Sequence, residues 1–76
     1  MPLLRFHWDF FGPDAAPTAE HFVKHLHQFC DKEGITERSA WTTSLPIRCT
    51  ATLECDEQHM LLVRDRLKPK RAERIG

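Results

Sequence analysis

The stretch IRCTATLEC, residues 47–55, decides the fold, because its apolar and polar residues alternate without a break. Ile47, Cys49, Ala51, Leu53 and Cys55 fall on one side, and Arg48, Thr50, Thr52 and Glu54 on the other. That period of two belongs to a strand with one buried face. Residues 3–11, LLRFHWDFF, repeat the pattern: Leu4, Phe6, Trp8 and Phe10 point one way and Arg5, His7 and Asp9 the other. Gly12-Pro13-Asp14 then breaks the strand. Two such strands require an apolar cover on one side only.

The chain between and beyond them supplies that cover. Thr18 is placed to cap a helix over residues 19–33, with Phe22, Leu26, Phe29 and Cys30 on one face and Ala19 and Val23 widening the stripe. Gly34 suits the left-handed position past the helix end, with Ile35 folding back against Phe29 or Cys30. Residues 37–44, ERSAWTTS, have strand composition, and Leu45-Pro46 lies at a turn. Asp56 is placed to cap a helix over 57–68, with Met60, Val63 and Leu67 inward, Arg64, Arg66 and Lys68 matching its dipole, and Pro69 just beyond. The rival for this segment is a strand over 59–65, giving β-α-β-β-β; its good helix formers and cap favour the helix.

The predicted class is therefore α+β, a β-α-β-β-α two-layer sandwich. Its three-stranded sheet carries both helices on one face. In topology this resembles a ferredoxin-like fold without its last strand, a likeness of architecture that implies no particular function. Residues 1–68 form the single domain, and residues 69–76 are expected to be a basic, flexible C-terminal tail.

Composition narrows the setting. The chain has 76 residues, 41% of them apolar and 29% charged, which speaks against wholesale disorder. A domain this short has a thin core, for which five Phe and two Trp are efficient filling. The three cysteines, Cys30, Cys49 and Cys55, are odd in number and lack the spacing of a disulfide framework. The N-terminal residues lack the basic start and long apolar run of a secretory signal, and no apolar run reaches the roughly 20 residues of a membrane span. A reduced, cytoplasmic protein is the expectation. With neither disulfide nor obvious metal, self-association is the support such a core would use, and a homodimer is expected.

The sheet face turned away from the helices would carry Arg5, His7, Asp9, Arg48 and Glu54, besides Thr50 and Thr52. Such a face is often a solvated layer of cross-strand ion pairs; as a contact surface, these five residues would form it. The rings Phe6, Trp8 and Phe10 fall on the core side, leaving only His7 and either Phe11 or Trp41 to face out, which weakens an RNA-stacking role. His21 and His25, one helical turn apart, are placed to share a metal ion, whereas His27 points to the opposite flank. Two ligands leave such a site incomplete. Cys55 precedes a helix, but Asp56 and Glu57 oppose activation of its thiol, so a structural role is expected. Gly12, Gly34 and Gly76 stand alone, so there is no glycine-rich phosphate loop; no catalytic residues and no cofactor are implied.

The formal net charge is zero, yet it is unevenly spread. Residues 64–76 hold six basic and two acidic side chains, and the remainder holds five and nine. Arg66, Lys68, Lys70, Arg71 and Arg74 would be the phosphate contacts of a nucleic-acid binder, or the contacts for an acidic protein. The leading expectation is a small binding or interaction module that is not itself catalytic. Nucleic-acid binding through the basic end and metal binding at the helix histidines are the alternatives.

Overall fold

A computed structural model describes residues 2–75. In chain order they form β1 (Leu3–Phe11), α1 (Ala15–Glu33), β2 (Arg38–Ser44), β3 (Arg48–Asp56), a 3-10 turn (Glu57–His59), α2 (Met60–Leu67) and β4 (Arg71–Arg74). The sheet is antiparallel throughout, in the order β2-β3-β1-β4. The α+β class holds, but the expected three-stranded sheet gains a fourth strand. The added strand lies beside β1, at the edge of the sheet.

That strand comes from the expected flexible tail. Residues 71–74 pair with β1, Arg71 opposite His7 and Glu73 opposite Arg5. Lys70 N–H donates to the His7 carbonyl at 2.9 Å, and Ile75 N–H to the Leu3 carbonyl at 2.8 Å. All four residues of β4 are exposed, so no apolar alternation marks them as a strand. Backbone hydrogen bonds and ion pairs hold β4 in place. Gly76 lies outside the described residues.

Both helices pack on the Leu4, Phe6 and Trp8 side of the sheet. The core joins these three to Ala19, Leu26 and Cys30 of α1, to Cys49, Ala51, Leu53 and Cys55 of β3, and to Val63 of α2. Trp8 stacks obliquely on Phe22, with centroids 5.0 Å apart, and its indole N–H donates to the Leu67 carbonyl at 2.9 Å. One side chain therefore ties β1 to both helices. Ile47, expected inward, is 77% exposed because it belongs to the turn before β3 and not to the strand.

Helix boundaries differ in informative ways. Helix α1 begins at Ala15 and not after Thr18; Pro17 falls in the first turn, where a missing N–H costs nothing. Its end matches expectation: Gly34 adopts φ 76°, and Ile35 N–H reaches back to the Cys30 carbonyl at 2.8 Å. The last apolar segment is helical, so the strand alternative fails. Its first turn is 3-10, capped by Asp56 Oδ1 accepting from Gln58 N–H at 2.9 Å. That change of winding leaves Met60 exposed and brings Leu62, beside Val63 and Leu67, against the core.

A candidate interaction surface on the open sheet face

The face of the sheet away from the helices is a grid fixed by strand register. One row across β2, β3, β1 and β4 reads Ser39, Glu54, Arg5, Glu73; the next reads Trp41, Thr52, His7, Arg71; a third reads Thr43, Thr50, Asp9. Arg48 lies beyond the third row. All five residues expected to form the surface, Arg5, His7, Asp9, Arg48 and Glu54, are brought together here. The structure adds Trp41, Arg71 and Glu73. Arg71, expected only as a basic contact of the tail, and Glu73 could not be read as members of this face because their strand carries no strand signal.

Within the grid every charged group has a partner. Arg5 Nε donates to Glu54 Oε2 at 2.8 Å, and the Arg5 guanidinium carbon lies 5.3 Å from the Trp41 ring centroid. A cation so placed is drawn to the negative face of the indole. Asp9 Oδ1 accepts from Thr50 Oγ1 at 2.7 Å and from Arg71 Nη2 at 2.9 Å, with Arg48 Nε 4.0 Å away. Burial raises the Asp9 carboxyl, but the Arg71 and Thr50 hydrogen bonds and the charges of Arg71 and Arg48 outweigh it and hold the group below its ordinary range.

His7 is engaged at both ring nitrogens, Nδ1 2.9 Å from Thr52 Oγ1 and Nε2 2.9 Å from Glu73 Oε1. A carboxylate only accepts, so the hydrogen on this side belongs to Nε2, and the Nδ1 of a neutral ring accepts from the Thr52 hydroxyl. Hydroxyl, imidazole and carboxylate in line resemble a nucleophile with its base. Thr52, however, is 2% exposed and lies in the floor of the face, so its hydroxyl serves to orient His7. Thr50 is buried beside it. Long side chains stand around the threonines and rim a shallow, open depression of about 220 Å³ bounded by Arg5, Trp41, Arg48 and Arg71. Leu45 lines this depression and also an adjoining apolar groove, shared with Pro13, Pro46 and Ile47, at the end of the sheet.

The remaining candidates lie elsewhere. His21 and His25 meet on the outer side of α1, Nε2 to Nε2 at 2.9 Å, while His27 accepts from Arg38 on the other flank. Among the described residues no cluster of three or more potential metal ligands occurs. The three cysteines are free and buried. Burial, with Cys30, Asp56 and Glu54 nearby, pushes the Cys55 thiol up to about 11, which opposes a nucleophilic role. Of the basic residues near the C-terminus, Arg66 approaches Glu33 at 4.0 Å, Arg71 meets Asp9, and Arg74 meets Glu57 at 2.9 Å. Lys68 and Lys70 have no ion-pair partner among the described residues. Among the described residues no helix is long and apolar enough to cross a membrane. Comparison with protein-family models, curated proteins and solved structures finds no match for this chain.

Proposed function

We propose that this chain is a non-catalytic interaction module that uses the open face of its sheet as its contact surface, and that its first partner is a second copy of itself. One observation carries the reading: a face that no layer covers sets a half-buried tryptophan among three arginines and three carboxylates. An isologous dimer brings a patch against its own copy, so the patch must be self-complementary. Arg5, Arg48 and Arg71 balance Asp9, Glu54 and Glu73, and a face of one sign would repel itself. Aromatic and arginine side chains are the types that dominate contact energies. The three buried free thiols favour a reducing compartment such as the cytoplasm. Nucleic-acid binding through Arg66, Lys68, Lys70, Arg71 and Arg74 is the weaker reading, because no aromatic residue interleaves with these cations in residues 64–76 to stack on bases.

Light scattering across the micromolar range tests the proposal. A mass that rises with concentration, and that returns to the monomer value in Trp41→Ala, is the expected result. A monomer at every concentration would end the self-association reading.

A further inference from the structure

The outer side of α1 carries a feature that the sheet face does not explain. His21 and His25 are both exposed, yet their rings meet edge to face with centroids 4.5 Å apart and an interplanar angle of 81°. Their Nε2 atoms converge to 2.9 Å, one ring donating its N–H to the other. Two exposed imidazoles in water gain little from each other and lose rotamer freedom by meeting. The arrangement has a sharper meaning for a metal ion. One turn of helix sets the two ring nitrogens on a single point in space, and a helix is a rigid base for them.

We infer that His21 and His25 form a two-nitrogen site for a divalent transition ion, with water completing the coordination. Two nitrogens about 2.05 Å from one metal ion stand about 2.9 Å apart at 90° and about 3.3 Å apart at the tetrahedral angle, so the pair is close enough to serve a single ion as adjacent ligands. Copper(II) stands highest in the general affinity order of divalent ions. The site lies on the helix side of the molecule, so it is independent of the proposed contact face.

Titration of tag-free protein with copper(II), nickel(II) and zinc(II), followed by calorimetry and by electron paramagnetic resonance for copper, tests the inference. The expected result is one copper per chain with two equatorial nitrogen donors. Affinity is expected to fall at least tenfold in His21→Ala and in His25→Ala and to stay unchanged in His59→Gln. Circular dichroism checks that both alanine variants keep their helix. Equal copper affinity in wild type and the His21→Ala/His25→Ala double variant would overturn the site.

Discussion

Nε2 of His7 lies 2.9 Å from Oε1 of Glu73, a hydrogen bond that joins the first strand to the last across 66 positions of sequence. With the Arg71–Asp9 pair, it makes β4 a working part of the sheet. Removing residues 69–76 is expected to lower stability by about 1–3 kcal/mol, the range for breaking a partly buried charged network. Urea denaturation measures the loss. A midpoint unchanged by the truncation would show that these residues contribute nothing to the fold.

Asp9 makes the protein sensitive to acid. Its folded carboxyl lies below the ordinary value, so its contribution is complete above about pH 4, where the unfolded group ionises. That contribution declines as pH falls through the folded value and is absent below it. At neutral pH, Asp9→Asn is expected to cost about 1–3 kcal/mol through the weakened Thr50 and Arg71 bonds. The wild-type and variant stabilities are expected to converge as acid is added. A carboxyl-detected NMR titration showing Asp9 at or above 3.8 would contradict this account.

Two helix ends adopt left-handed backbone, and their residues differ. Gly34 has φ 76° with open space where a Cβ would stand, so Gly34→Ala is expected to cost about 1 kcal/mol from conformation alone. Lys68 has φ 50° without the freedom of glycine. Lys68→Gly is expected to gain up to about 1 kcal/mol. Thermal midpoints measured side by side check both signs.

The thiols are expected to be silent in the native state. Cys30, Cys49 and Cys55 are all buried, and burial raises the thiols of Cys30 and Cys55. A disulfide-exchange reagent at pH 8 is expected to label none of them faster than the protein opens, and all three in urea. Rapid stoichiometric labelling of Cys55 in native protein would restore it as a reactive group.

How much of this was legible in the sequence depends on whether a residue's partners are apolar. β1 and β3 are written as alternation because each buries one side against the helices, and Gly34 is written as a stop because few other residues tolerate its backbone. β4 is invisible to that logic. Arg71, Ala72, Glu73 and Arg74 bury nothing, and backbone pairing with β1 together with ion pairs to Asp9, His7 and Glu57 gives them a place. Half of the grid could be read for the same reason. Arg5, His7 and Asp9 share a strand with a strong period, whereas Trp41 lies in a strand whose alternation is weak. The early start of α1 was missed because Thr18 reads as a cap, whereas the helix starts three residues earlier and takes Pro17 into its first turn.

The order of the sheet also implies a gradient of local opening. β3 is flanked on both sides and contributes Cys49, Ala51, Leu53 and Cys55 to the core, whereas β4 borders only β1 and is wholly exposed. Releasing β4 uncovers little apolar surface, so it is the least costly local opening of the sheet. Amide exchange is expected to be fastest at Lys70 and Ile75 and slowest along β3. Each release would take Arg71 from Asp9 and Glu73 from His7, leaving the carboxylate and imidazole of β1 to solvent. The contact face is thus a composite of a durable part and a fluctuating one, and how well it binds depends on how often its last strand is in place.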